Sequence, residues 1–401
     1  MPLCLAFWSC EYVRPTLNAP LIQYAPAGGY RLLNLAPPEA DNSDGLFLAA
    51  TFSGGEVRAS ALAFGVLREL ARHEIAWQGR HKRLLDELDV IFALSGGSFT
   101  AAYCALYGDR LFDDFEYRFL RKDWDTELRT RVLWSPSNWI RLWSPYFGRA
   151  HLLAELLDEA LFDRKTYADL AARRQRPLLA IHATDMTSLS RFEFTLKNYA
   201  GQCRHQPLDF LERARREGGV SAQVASEALS YLDVKKRPYV HLVDGGLADN
   251  MALRGIIEGV GLVGGHEQLL KLSGVKNIQK LVVLAVNAET SPDALEYRSD
   301  HVPIMSQAMR SMIDVPINRY SFDTVMLIRL ALKQWQEDLR DKPRGVDSPF
   351  APDAKIHFIN ASLAEIVDPD ERLALMKIPT SLYLTEDQID RLPCRIRPHP
   401  S

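Results

Sequence analysis

Two apolar runs, each closed by a serine and two glycines, constrain the fold of this chain more than any other feature. Residues Gly45 to Phe52 precede Ser53-Gly54-Gly55, and residues Asp89 to Leu94 precede Ser95-Gly96-Gly97. A short apolar run bounded by turn residues is typical of a buried strand. A helical pattern follows each turn, the first of them from Ala59 to Arg72. This alternation predicts strands of a parallel sheet that are joined by helices.

Further apolar segments continue the alternation toward the C-terminus. They are rich in Val, Ile and Leu, as expected for strands that are covered on both faces. We therefore predict an α/β fold with a mainly parallel central sheet covered by helices, in which functional sites lie at the carboxyl ends of the strands. The later predicted strands are Pro177 to Thr184, Arg191 to Phe194, Tyr239 to Val243 and Ile278 to Asn287.

The chain contains no internal repeat and no strong linker, so one domain with additions is the simplest organisation. Residues 1–44 are predicted to form an extended N-terminal arm. Residues 45–260 are predicted to form the domain that carries the functional turns, with a helical insertion at about 110–170. Residues 261–401 are predicted to contribute the rest of the same fold and a C-terminal extension.

Composition excludes several classes of function. A net charge of -3 provides no basic excess, so we expect no nucleic-acid partner. No apolar run reaches the roughly 18 residues that a membrane-spanning helix needs. The sequence predicts neither a metal site nor an organic cofactor, and it predicts no oligomeric state. The five cysteines form no CxxC pair, which argues against a zinc site and a disulfide framework: Cys4, Cys10, Cys104, Cys203 and Cys394.

The turn that contains Ser95 has the pattern of a nucleophile elbow. Small residues at Ala93, Gly96 and Gly97 allow the chain to turn sharply and present the Ser95 hydroxyl at a helix N-terminus, where an anion is stabilised. The usual pattern is G-x-S-x-G, and Ala93 takes the place of the first glycine. A serine before two glycines is also a common helix N-cap. The motif by itself leaves both interpretations open.

Two other turns supply what a nucleophilic serine requires. In the turn from Ser53 to Arg58, consecutive glycines let backbone N–H groups converge on one point, as an oxyanion hole requires. The turn Asp244-Gly245-Gly246 follows a predicted strand, and its carboxylate could accept a proton from a serine hydroxyl. Each of these turns alone also fits an ordinary connection between elements.

Together and in this order, the three turns resemble the patatin-like phospholipase family of serine acyl hydrolases, in particular its bacterial members. The resemblance covers about Leu46 to Gly255 and includes the stretches 135–149 and 184–194. It implies hydrolysis of acyl esters in phospholipid or another lipid, as in a phospholipase A or lysophospholipase, without a cofactor. It further implies these roles: Ser95 as nucleophile, Asp244 as proton acceptor, the amides of Gly54, Gly55 and Glu56 as oxyanion hole, and Arg58 as support of that loop.

The chain departs from the family pattern in two places. Glu56 stands where relatives usually have a third glycine. Relatives also carry an Ala-Ser-x-Ala-x-Pro helix after the strand that matches Arg191 to Phe194, and here the nearest string, 225–228, lacks the proline. An alternative is therefore a catalytically impaired relative that binds lipid or a membrane.

A second alternative is an α/β-hydrolase with the chain order serine, aspartate, histidine. His266, His301 or His357 would then serve as the general base. This hypothesis leaves the Asp-Gly-Gly turn without a role.

The stretch from Arg118 to Arg149 combines seven Lys and Arg residues with three Asp and Glu residues. Tryptophan and cationic side chains together suit a membrane–water interface, so peripheral membrane contact is one interpretation. The other is that these tryptophans pack the insertion onto the sheet. The stretch contains four of the seven tryptophans of the chain: Trp124, Trp134, Trp139 and Trp143.

The N-terminus leaves the cellular location open. The apolar run from Leu3 to Trp8 precedes Ser9-Cys10, which is similar to the end of a bacterial lipoprotein signal, but a basic n-region is missing. A signal that begins upstream of Met1 would direct the protein to the cell envelope. Without one, we expect a cytoplasmic or peripheral membrane protein.

Overall fold

The strands form one main sheet and one small hairpin. The computed structural model describes residues 30, 32, 35, 45–77, 79–194, 209–231, 233, 235–290, 305–341, 345 and 347–392. In these ranges the hairpin consists of β2 (Glu74–Trp77) and β3 (Arg80–Arg83). The main sheet contains β1 (Leu46–Phe52), β4 (Leu88–Leu94), β5 (Leu178–Asp185), β6 (Arg191–Glu193), β7 (Leu242–Asp244), β8 (Ile278–Asn287) and β9 (Phe350–Ser362).

The main sheet is mostly parallel, which confirms the predicted α/β fold. Its strands run in the order β6-β5-β4-β1-β8-β9, and β7 also pairs with β5. Strands β1, β4, β5, β8 and β9 pair in parallel, whereas β6 and β7 run antiparallel to β5. The carboxyl ends of β1, β4 and β5 therefore meet at one edge of the sheet. We refer to this edge as the carboxyl edge.

Helices cover both faces of the sheet, so its central strands read as continuous apolar runs. All seven residues of β1 are buried. Its alternate side chains Leu48, Ala50 and Phe52 pack in the core with the first two helices, and Phe47 and Ala49 face the opposite layer. The first of these helices, α1 (Glu56–Arg72), begins at the glycine loop after β1, and the second, α2 (Ser95–Tyr107), begins directly after β4.

The predicted helical insertion consists of short helices between α2 and β5. They are α3 (Arg110–Phe115), α4 (Trp124–Leu133), α5 (Pro136–Leu142), α6 (Arg149–Ala160) and α7 (Tyr167–Arg173), with a π-helical turn at Glu116–Leu120. The later helices are α8 (Asp209–Glu217), α9 (Gly219–Ser230), α10 (Gly246–Asp249), α11 (Arg254–Val263), α12 (His266–Ser273), α13 (Met305–Asp341), α14 (Pro369–Met376) and α15 (Glu386–Arg391), and 3₁₀ turns span Leu84–Glu87 and Leu363–Glu365.

Most of the predicted N-terminal arm lies outside the described residues. The positions that are described pack on the domain: Leu32 and Leu35 are buried, and the Tyr30 hydroxyl donates a hydrogen bond to Pro177 O at 3.3 Å. No helix in the described ranges combines the length and apolar character needed to cross a membrane. The domain boundaries drawn from the sequence stay predictions.

Candidate active site

Ser95 occupies a strained turn between β4 and α2. Leu94 ends the strand in extended conformation, and Ser95, the first helical residue, has a φ of +43°. A positive φ is uncommon for a residue with a side chain and marks backbone strain, which is often found at functional sites. Ser95 is half-buried, whereas Ala93 is fully buried. The structure therefore places Ser95 in the strand–turn–helix geometry that the elbow motif predicts.

Gly96 and Gly97 allow the glycine loop to pack directly on the elbow. A Cβ placed on Gly96 would lie 2.0 Å from Glu56 O, and a Cβ placed on Gly97 would lie 2.6 Å from Ser53 O. Real side chains do not tolerate such distances to backbone atoms. Two glycines after Ser95 are thus required by the close approach of β1's loop, in addition to the sharpness of the turn.

Sheet topology brings Asp244 to the same place. The pairing of β4 with β5 ends where Leu94 lies opposite His182. The next residues of β5 pair with β7, and Asp244 lies opposite Ala183. β6 pairs with the same residues of β5 on the side away from β4. β7 therefore lies on the side of β5 that faces β4, just beyond the end of β4. Asp244 therefore occupies the row directly beyond Leu94, where the chain of β4 turns away at Ser95.

Close backbone contacts hold the Asp-Gly-Gly turn against the elbow. A Cβ on Gly245 would lie 2.6 Å from His182 O and 3.1 Å from Leu94 Cβ, so only glycine fits there. The Thr184 hydroxyl donates to Gly245 O at 3.3 Å and accepts from Ala248 N–H at 3.2 Å. The turn is thus fixed from β5. The sequence analysis includes Thr184 in the stretch 184–194 but assigns it no role.

Asp244 lies one row beyond Leu94 on β5, and no hydrogen bond joins its carboxylate to the Ser95 hydroxyl. Asp244 is exposed, and its Oδ1 accepts a hydrogen bond from Gly246 N–H at 2.8 Å. Within the described part of the chain, the Ser95 hydroxyl has no hydrogen-bond partner. Catalytic hydrogen bonds are commonly long without substrate and tighten in the complex.

The glycine loop offers two of the three predicted oxyanion donors. Gly54 N–H donates to Asn250 O at 3.2 Å, so the prediction that this amide faces the site is wrong. The N–H groups of Gly55 and Glu56 donate to no acceptor among the described residues. Gly55 and Glu56 have φ values of +134° and +50° and begin α1, where N–H groups are left without partners inside the helix. These two amides are the candidate donors.

Arg58 lies beneath this loop. Its buried guanidinium donates to Ala288 O at 3.1 Å and to Ile378 O at 2.8 Å. A Cβ on Gly55 would lie 2.8 Å from Arg58 Nη2, so the guanidinium and the loop are in contact. This geometry fits the supporting role that the resemblance implies, because the cation is held below the loop by backbone carbonyls.

Glu56 brings a carboxyl group to the site that the family pattern does not contain. Burial raises the pKa of the Glu56 carboxyl, and the neighbouring carboxylates of Asp125 and Asp244 raise it further. Arg58 and Arg149 oppose this shift. Asp125 lies in the first turn of α4 and Arg149 begins α6, and the two side chains form an ion pair at 3.2 Å. The helical insertion therefore borders the site, which the sequence did not predict.

The histidines of the alternative triad lie elsewhere. His266 begins α12 and stacks on Trp335 with ring centroids 5.2 Å apart. His357 lies on β9, where partial burial and the charges of Lys280 and Lys355 lower its pKa. His301 lies outside the described residues.

The tryptophans of the insertion divide into two groups. Trp124 is fully buried, and its indole N–H donates to Phe119 O at 2.9 Å, so the predicted lipid contact of Trp124 is wrong and the packing interpretation holds for it. The side chains of Trp134, Trp139 and Trp143 are 83%, 55% and 87% exposed. Leu133 and Ile140 are exposed beside them.

The predictions about the segment after Phe194 and about the cysteines fall partly on residues that the structure does not describe. The chain after Phe194, where the family's additional segment is expected, is described again only from residue 209. The string 225–228 lies in α9, where Ala225 is buried against Phe210 and Leu211.

Cys104 is a buried free thiol, and the other four cysteines lie outside the described part of the chain. The described residues contain no group of three or more metal-ligating side chains.

In the described residues, a strained serine, an aspartate in the next row of the sheet and two backbone amides without acceptors lie at the carboxyl ends of a parallel sheet, and a serine acyl hydrolase requires groups of these kinds. The chain belongs to the patatin-like phospholipase family, whose model matches residues 50–257, just over half of the sequence. The match does not distinguish the bacterial type from others.

Two solved structures illustrate the similarity. Both are human GIVD cytosolic phospholipase A2 with methyl γ-linolenyl fluorophosphonate, one of them also with terbium chloride. The structure with terbium chloride is 21% identical over 37% of this chain, with a TM-score of 0.21. The structure without terbium chloride is 15% identical over 87% of this chain, with a TM-score of 0.33. The chain spans 23% and 56% of the length of these two chains. No curated protein matches the chain significantly.

Proposed function

We propose that this protein hydrolyses acyl esters of phospholipid or a related lipid through a Ser95–Asp244 dyad. The observation that carries the proposal is the position of Asp244 in the sheet. Asp244 pairs with β5 one row beyond Leu94, the residue that precedes Ser95. The amides of Gly55 and Glu56, which have no acceptor among the described residues, belong to the loop that packs on the same turn.

The arrangement supports a two-step acyl transfer. Ser95 Oγ attacks the ester carbonyl carbon while the Asp244 carboxylate takes the hydroxyl proton, and the Gly55 and Glu56 amides hold the oxyanion. The ester C–O bond then breaks, and the leaving alcohol takes the proton from Asp244. Water, deprotonated by Asp244, attacks the acyl-enzyme and releases the carboxylic acid and Ser95. This sequence requires neither a metal nor a histidine.

A fluorophosphonate probe tests the proposal directly. We expect the probe to label the purified protein on Ser95, as located by peptide mass spectrometry, and we expect turnover of short p-nitrophenyl esters. Labelling without turnover would favour the alternative of an impaired relative, which is supported by the engaged Gly54 amide and the Glu56 carboxyl. Labelling of a different residue, or none, would contradict the nucleophile assignment.

We further propose that the tip of the insertion contacts a membrane surface. Trp134, Trp139, Trp143, Leu133 and Ile140 are exposed together on α4, α5 and the residues that follow them. Amphipathic aromatic rings favour the headgroup region of a bilayer, and the basic excess of the surrounding stretch favours anionic lipid.

Replacing both Trp134 and Trp143 with Ala is expected to weaken binding to anionic phosphatidylglycerol vesicles by about tenfold, because two aromatic side chains no longer enter the interface. Vesicle sedimentation measures the partition coefficient. Phe322→Ala on α13, which removes another exposed ring, is the matched control and should leave binding unchanged. Equal binding of the double variant and the unchanged protein would rule out this docking surface.

A further inference from the structure

Asn250 lies between two of the loops that form the site. It follows α10 directly, six residues after Asp244 in the chain. A Cβ on Gly54 would lie 2.6 Å from Asn250 Oδ1, and a Cβ on Gly246 would lie 2.9 Å from the same atom. The carboxamide is therefore wedged between the glycine loop and the Asp-Gly-Gly turn, and two glycines make room for it.

Backbone and side-chain hydrogen bonds hold Asn250 at both ends. Its carbonyl oxygen accepts from Gly54 N–H at 3.2 Å, and its Nδ2 donates to Ser321 Oγ at 3.4 Å. Ser321 is buried on α13, and its hydroxyl donates to Ile317 O at 2.8 Å. Asn250 thus connects the glycine loop and the Asp-Gly-Gly turn to the long helix α13.

Catalytic geometry depends on the distance between these two loops. The amides of Gly55 and Glu56 belong to one loop, and Asp244 belongs to the other. The elbow lies between them, since a Cβ on Gly54 would also lie 3.4 Å from Ser95 Cβ. A displacement of about 1 Å in such a constellation can cost a factor of 10² in rate.

We propose that Asn250 is a positioning residue that sets the separation of the oxyanion amides and Asp244 around Ser95. This inference rests on the proposed function. Asn250 affects kcat by holding the loops of Gly54 and Asp244 in place, and it does not contact the substrate. Neither residue type nor spacing indicated this role in the sequence.

Asn250→Ala is expected to lower kcat on a short p-nitrophenyl ester by about tenfold while KM changes less than about twofold, because binding surfaces are retained and the reacting groups are displaced. Ser321→Ala removes only the anchor of the carboxamide and should lower kcat less. The double variant should be no slower than Asn250→Ala, since both changes act through one interaction. Asn138→Ala on α5 is the matched control and should keep full activity.

Hydrogen exchange provides a readout that is independent of catalysis. In Asn250→Ala, the amide of Gly54 should exchange faster than in the unchanged protein, while peptides of β8 and β9 keep their protection. If the unchanged protein proves inactive, the proposed function fails and the exchange at Gly54 still decides the role of Asn250. Unchanged exchange at Gly54, or unchanged kcat in an active protein, would overturn the inference.

Discussion

Ser95→Ala and Asp244→Asn should each lower kcat/KM on a simple ester by at least about 10³-fold, because removal of a nucleophile or its proton acceptor leaves only binding and the oxyanion hole. Both side chains are at least partly exposed at the carboxyl edge, so both variants should unfold near the Tm of the unchanged protein. Steady-state assays and calorimetry measure the two effects.

Matched variants separate the dyad from its alternatives. Asp125→Asn neutralises another carboxylate that borders the site and should keep most of the activity. His266→Ala, His301→Ala and His357→Ala should do the same, because the dyad has no histidine. A loss of several orders of magnitude in one of the three would establish a serine–aspartate–histidine triad instead.

Elements fixed by local patterns were predictable from the sequence. The strands β1, β4, β5 and β8 are continuous apolar runs because helices cover them on both faces, and β8 has the predicted bounds Ile278–Asn287. The hairpin β2–β3, the edge strand β9 and the long helix α13 were not predicted. β9 exposes the adjacent residues Pro352 and Asp353, which interrupt its alternation, and α13 mixes apolar and charged residues along 37 positions, so neither shows a single clear period.

The relations between distant segments were less accessible. The three turns were found from their residue types, and the resemblance supplied their roles. The row of Asp244 beside Leu94 depends on how β7 pairs with β5, and the engaged amide of Gly54 depends on Asn250, almost 200 positions away in the chain. The burial of Trp124 and the exposure of Trp134 likewise follow from tertiary packing, because both occur in the same basic stretch.

Glu56→Gly should raise kcat by about 10² at pH values above the raised pKa of the Glu56 carboxyl, since an ionised carboxylate beside the oxyanion opposes the developing negative charge. The Glu56 backbone packs on Gly96, the residue after Ser95, and the charge of Asp244 raises the pKa of the Glu56 carboxyl. Glycine at position 56 would also relieve the φ of +50°. Glu56→Gln separates the two effects, because it removes the charge and keeps the side chain.

The pH dependence follows from the raised pKa of Glu56. Below this pKa the Glu56 carboxyl of the unchanged protein is neutral, like the side chain of Glu56→Gln. The two proteins should therefore have similar kcat in that pH range. As pH rises through the raised pKa, the unchanged enzyme acquires the charge and its deficit relative to both variants should grow. The same ionisation disfavours the folded state, so the free energy of unfolding of the unchanged enzyme should fall relative to Glu56→Gln over that window.

The comparison requires kcat for the three proteins from about pH 5 to about pH 9. A gain in Glu56→Gly that is independent of pH would assign the effect to backbone strain alone. Equal or lower kcat in both variants at every pH would show that the carboxylate does not act on the oxyanion. Any weakness of the enzyme would then arise from the segment after Phe194, where the sequence departs from the family pattern.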